Sequence, residues 1–191
     1  MKKENLLFLG VALIVGLLVG IIVGNKGGSS SSSTPAPPPS AAAPVVNYEQ
    51  TITMLLNVVE QEPGNRTAWV QLGNSYFDSN QYVESVEAYD KALELDANDP
   101  NVLTDQGVMF RRLGWFDRAV KNFIKASQLN AMHTQSLFNL GLVYREDLKD
   151  FPAAITAWEK LLKISPGGQL ADQLRAQIEF MKSHPQGTGN K

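Results

Sequence analysis

Cysteine is absent from this chain of 191 residues. That excludes a disulfide, a thiolate metal site, a lipid-bearing cysteine anchor and a haem-attachment motif. Histidine is scarce as well: only His133 and His184 occur, and neither has a second histidine or a carboxylate at ligand spacing. Both are expected as solvated turn or tail residues rather than catalytic or metal-binding ones. No glycine-rich phosphate loop, nucleophile elbow or paired-acid motif is present, and Gly187-Thr188-Gly189 is a terminal tail that no helix follows. A protein without enzymatic activity, metal or cofactor is expected. A basic excess is missing too. From Tyr48 onward 14 Lys and Arg stand against 18 Asp and Glu, where a nucleic-acid binder would show a basic face. No nucleic-acid partner is expected.

What the chain does have is a repeat. Trp69, Leu72, Gly73 and Tyr76, followed by Tyr82, Ser85, Tyr89 and Ala92, return 34 residues later. There they read Leu103, Gln106, Gly107 and Phe110, then Phe116, Ala119, Phe123 and Ala126. A third copy begins with Leu137, Leu140, Gly141 and Tyr144, and its second half (Phe151, Ala154, Trp158, Leu161) is displaced by one residue. A fixed period of this length marks a solenoid, and this order of small and large residues resembles the tetratricopeptide repeat, or TPR. The resemblance implies an all-α, right-handed superhelix of helix-turn-helix repeats.

The residues support that reading by themselves. Each copy holds two stretches with apolar residues at helical spacing, and neither helix can bury its apolar face alone, so neighbouring hairpins must stack. Gly73, Gly107 and Gly141 fall mid-helix, where glycine costs about 1 kcal/mol relative to alanine. Close crossing by the second helix of each pair accounts for them, with Ser85, Ala119 and Ala154 as the small partner surface. Asp78-Ser79-Asn80 reads as a helix stop, Asp99-Pro100 as a helix start and Asp150 before Pro152 as a cap. The extra residue is expected in the turn near Leu148-Lys149, where an insertion is tolerated. Trp69, Tyr76, Tyr89, Phe123 and Trp158 are core by position. The array divides into a half repeat (48–65, with Tyr48, Ile52, Leu55, Leu56 and Val59 apolar), repeats 66–99, 100–133 and 134–168, and a capping helix 169–183. That last helix carries the stripe Leu170, Leu174, Ile178 and Met181, and residues 184–191 form a disordered tail.

Ahead of the repeats, Leu6 to Gly24 form 19 residues with neither charge nor proline. As a helix they span roughly 28 Å, close to the hydrocarbon thickness of a bilayer. Lys2 and Lys3 precede the run and only Lys26 follows it before Glu49. By the positive-inside rule, residues 1–5 are expected in the cytoplasm, 6–24 as an anchor in the inner membrane and the repeats in the periplasm, the alternative being a signal peptide cleaved after Gly24. Gly16, Gly20 and Gly24 share one helix face at small-residue spacing, which suits homodimerisation through the membrane helix. Residues 25–47, rich in Gly, Ser, Pro and Ala, read as a disordered linker reaching roughly 25–40 Å.

The TPR resemblance also implies a site. In that family the first helix of each pair lines a concave groove, exposing the second, fifth, ninth, twelfth and thirteenth positions. In this chain these are Thr67, Val70, Asn74, Phe77 and Asp78, then Asn101, Thr104, Val108, Arg111 and Arg112, then Gln135, Phe138, Leu142, Arg145 and Glu146. Val70, Phe77, Val108, Phe138 and Leu142 would make an apolar floor beside Arg111, Arg112 and Arg145. That combination suits a protein or peptide ligand with apolar side chains and an acidic or free carboxyl end. The clamp that other TPR arrays use for acidic chaperone tails is not reproduced: Val70, Asn74, Asp105, Gln135 and Asn139 occupy its positions, only Asn74 matches, and Asp105 would repel a carboxylate. The expectation is a membrane-tethered adaptor for assembly or maturation of an envelope complex, similar in layout to TPR subunits of bacterial cytochrome c maturation systems. Alternatives are a pilus or secretion assembly factor, a passive spacer, or an import-receptor-like protein with cytosolic repeats.

Overall fold

The computed structural model describes residues 47–185, and every regular element among them is helical. The helices are α1 (Tyr48–Gln61), α2 (Arg66–Asp78), α3 (Tyr82–Leu95), α4 (Pro100–Arg112), α5 (Phe116–Leu129), α6 (Thr134–Leu142), α7 (Phe151–Ile164) and α8 (Gln169–Ser183). A π-helical turn, Val143–Asp147, continues α6. None of these helices is long and apolar enough to cross a membrane. The expected anchor at 6–24, with Gly16, Gly20 and Gly24, lies outside the described residues, as do the linker up to residue 46 and the tail from 186.

The starts of the helices explain the period. Asn65, Asp99 and His133, spaced 34 apart, each precede the first helix of a pair and cap it. Asn65 Oδ1 accepts from the Ala68 N–H at 3.1 Å, and Asp99 Oδ1 from those of Asn101 and Val102 at 2.8 and 3.2 Å. His133 Nδ1 accepts from the Ser136 N–H at 3.3 Å, while its Nε2 meets Asn101 Oδ1 at 3.0 Å. The ring is therefore a structural cap and a link to the preceding repeat, not the solvated turn residue expected. Together the two contacts define a neutral imidazole with the proton on Nε2. Burial, its largest influence, holds the His133 pKa below the usual histidine value against the opposing pull of Asp99. Asn47, assigned above to the linker, caps α1.

Each hairpin turns through three residues with the middle one left-handed: Asn80 at φ 62°, Gly114 at 77° and Lys149 at 56°. The loops are thus equal in length, and the extra residue of the third repeat is not in its turn. It lies in the π-helical turn at the end of the first helix. In the first two repeats the residue after the left-handed one donates its N–H to the carbonyl five positions back, Gln81 to Tyr76 and Trp115 to Phe110, both at 2.8 Å. Asp150 must reach six positions back, to Tyr144, also at 2.8 Å. Absorbing the residue as a π-bulge keeps the left-handed turn and the following helix in register.

The core is three overlapping clusters rather than one centre, as stacking of neighbours requires. Ile52, Leu55 and Val59 of α1 pack on Ala68, Leu72 and Ala88. Tyr89, Phe110, Phe123 and Val143 belong to the middle cluster, and Leu137, Trp158, Leu174, Ile178 and Met181 to the last. The mid-helix glycines are set by the aromatic residues of the second helices. A Cβ at Gly73 would lie 2.6 Å from the Tyr89 ring, at Gly107 2.6 Å from Phe123, and at Gly141 2.0 Å from Trp158 Nε1. Ser85, fully buried, adds a hydrogen bond to the Gly73 carbonyl at 2.8 Å. Gln106 occupies a leucine position and is buried too, with both ends of its amide satisfied: Nε2 donates to Asp90 at 2.7 Å and Oε1 accepts from Asn122 at 2.8 Å.

Several apolar side chains lie elsewhere than expected. Trp69 and Tyr76 are half-buried rather than core, packed at the edge of the first cluster. Leu56 and Leu170 are exposed; Ala171, not Leu170, completes the buried stripe of α8 with Leu174, Ile178 and Met181.

Candidate functional site

The first helices of the three pairs, α2, α4 and α6, present the positions expected to face a ligand. Their side chains open two clefts. The first, about 220 Å³, is lined by Phe77 of α2, Asp105, Val108 and Met109 of α4, and Gln135 and Asn139 of α6. The second, about 320 Å³, lies between Phe138, Leu142 and Arg145 on one side and Leu170, Gln173 and Gln177 of α8 on the other, over Trp158.

The expected site residues divide between these clefts and places outside them. Phe77 and Val108 share the first; Phe138, Leu142 and Arg145 share the second. Val70 packs against the middle core cluster. Asn74 accepts from the Tyr89 hydroxyl at 2.7 Å, so it braces the hairpin. Thr104, expected in the groove, is fully buried and donates its hydroxyl to the Pro100 carbonyl at 2.7 Å. The arginines are not a free basic edge. Arg111 is ion-paired with Asp147, which the π-helical turn carries, and Arg145 with its neighbour Glu146. The Arg145 guanidinium also lies 6.0 Å from the Trp158 ring centroid. Of the three expected groove arginines, Arg112 alone is exposed and without an ion pair among the described residues.

Asp105 is the group that sequence reasoning undervalued. Burial pushes its carboxyl up from 3.8 to about 6, and the field of Asp99 adds to the effect. No hydrogen bond or cation from the described residues offsets this. The same carboxylate, after burial itself, raises the pKa of Tyr89. Its signal in the sequence was the sixth position of the second repeat, recognised above only as hostile to a carboxylate ligand. Gln135 and Asn139 complete the first cleft with amide groups. Both clefts thus offer apolar walls, amides and a few charges, the means of holding an extended chain rather than of breaking a bond.

A larger cleft, about 440 Å³, lies on other faces, between α1, α2 and α3. Its floor is Leu56, Trp69, Leu72 and Tyr76, and its rim is mostly acidic, with Glu84, Glu87, Asp90 and Glu94 around Lys91. Lys91 is itself bonded to Glu94 at 2.8 Å.

Capped helical hairpins stacked at a constant period, with clefts between successive first helices, define a helical repeat protein. Comparison with known proteins agrees. A TPR repeat model matches residues 73–114 and a tetratricopeptide repeat model residues 104–169, jointly just over half of the chain. This chain belongs to the tetratricopeptide-repeat family. Among curated relatives it is similar to a probable UDP-N-acetylglucosamine–peptide N-acetylglucosaminyltransferase, SPINDLY, of Hordeum vulgare (29% identity over 118 residues), covering 58% of this chain but 12% of the relative. It is also similar to the photosystem I assembly protein Ycf3 of Parasynechococcus marenigrum (28% over 114 residues), covering 51% of this chain and 66% of Ycf3. The chain therefore spans less than two thirds of the length of these relatives. Among solved structures, MamA aligns with a TM-score of 0.66 at 24% identity, over 71% of this chain and 79% of MamA. YrrB, described as a TPR protein with an unusual peptide-binding site, aligns at 0.59 and 20% identity, over 71% of this chain and 70% of YrrB.

Proposed function

We propose that this chain is a membrane-tethered adaptor that holds a peptide or protein segment in its concave groove and serves the assembly or maturation of an envelope complex. The observation that carries the groove reading is the pair of clefts along α2, α4 and α6, which contain Phe77, Val108, Phe138, Leu142 and Arg145. Half-exposed apolar side chains grouped around polar ones suit a binding surface. YrrB supports a peptide ligand and Ycf3 an assembly role, each as a description of that protein. The tether rests on the uncharged run Leu6 to Gly24, and periplasmic repeats on Lys2 and Lys3 against Lys26.

The test is crosslinking and affinity capture from native membranes with the full chain beside a Phe138→Ala/Arg145→Ala variant. Partners lost in the variant support the groove; partners retained in full move the interaction to another face. Reporter fusions at both ends decide the topology. For the proposed membrane-helix dimer, Gly20→Ile should abolish self-association in a membrane two-hybrid assay.

A further inference from the structure

We propose that the first cleft selects a basic side chain, lysine or arginine, on the bound segment, with Asp105 as its counter-charge. This rests on the groove reading above and gives it a chemistry, one opposite to that suggested by the arginines in the sequence.

Asp105 is the one charged residue among those lining the cleft. No described cation pairs with it: Arg111 of the same helix is bonded to Asp147, and Arg66 to Asp99 and Asp96. Removing a carboxylate from water without a partner is unfavourable, and a cation entering the cleft would relieve that cost while meeting a stronger field than in bulk solvent. Asp99 deepens the negative field, so an acidic ligand group would be repelled. The walls suit the same occupant. Phe77, Val108 and Met109 can cover the methylene stem of lysine or arginine. Gln135 and Asn139 bring amides to the rim, where they can bond the backbone of an extended segment. Asn139 Nδ2 already donates to the Gln135 carbonyl at 3.0 Å, which leaves Oδ1 as an acceptor.

The experiment presents a library of short random peptides to the full chain in detergent and reads residue enrichment at each position. Wild type should enrich lysine or arginine over glutamate at one position by about tenfold or more, the scale of a charge-assisted hydrogen bond. Asp105→Asn, nearly isosteric, should keep the apolar preferences and lose the basic one. Asp105→Lys should favour aspartate or glutamate there. An equal basic preference in Asp105→Asn, or an acidic preference in wild type, overturns the proposal. Apolar enrichment that Phe77→Ala or Phe138→Ala removes, without any basic preference, rejects the proposal and keeps the groove. Absence of enrichment, or enrichment indifferent to both of those variants, rejects the groove itself and the proposal with it.

Discussion

Replacing Asp105 by asparagine should stabilise the repeats at neutral pH, and the gain should vanish in acid. Burial first, and Asp99 second, lift this carboxyl from 3.8 to about 6 on folding. A raised carboxyl binds its proton more tightly in the folded chain than in the unfolded one. Below about pH 4 both states hold the proton, and the group costs nothing. Between about pH 4 and 6 the unfolded state loses it first, so stability falls as pH rises, and above about 6 the penalty is complete. At ~1.4 kcal/mol for each pKa unit, that penalty is about 3 kcal/mol at pH 7.5. Asparagine removes the charge but still leaves a polar amide in the cleft, at a cost of about 1 kcal/mol. The net gain expected is about 2 kcal/mol at pH 7.5, falling to zero or below at pH 4. Urea unfolding followed by far-UV circular dichroism can read it, since a gain of that size moves the midpoint by about 1 M. Comparing variant with wild type at each pH cancels other titrating groups such as His133. A difference that is negative at pH 7.5, or equal at both pH values, would refute the desolvation of Asp105.

Three other substitutions test the packing. Gly141→Ala places a Cβ 2.0 Å from Trp158 Nε1 and should destabilise by about 3 kcal/mol or prevent folding, whereas Gly64→Ala, with open space around it, should be near neutral in the same urea titration. His133→Ala removes a helix cap and should cost about 1 kcal/mol at pH 8. Because the folded His133 pKa is depressed, its contribution is full above the ordinary histidine pKa and is lost as pH falls through the folded value, so the gap between wild type and variant should narrow in a series of thermal melts at successively lower pH. Lys149→Gly relieves a side chain at φ 56° and should raise stability by about 1 kcal/mol; an unchanged melting temperature would count against that turn geometry.

The hairpins were readable because their determinants are local and repeated. Caps at Asp99 and Asp150, and the glycines against Tyr89, Phe123 and Trp158, leave signals at fixed offsets. Where reading stopped short, the missing fact was three-dimensional. The one-residue displacement was visible, but turn and helix are both places to put it; only the left-handed position of Lys149 shows that the loop is unchanged. Arg111 looked available because Asp147, its partner, lies 36 residues away. Thr104 and Asp105 are neighbours in sequence, yet one is sealed in the core and the other lines the cleft, because consecutive side chains point about 100° apart around the axis of α4. Leu170 followed the apolar spacing of its helix, yet that helix faces the array through Ala171.

The π-helical turn has a consequence for how such an array can be rearranged. Modules that all keep one length are interchangeable parts, and shuffling them changes little but the surface. Here the odd residue sets Asp147 against Arg111 of the module before it. Exchange the second and third modules, and Arg111 loses its counterpart while Asp147 faces a stranger. The junction works as an address label, recording which unit must come next.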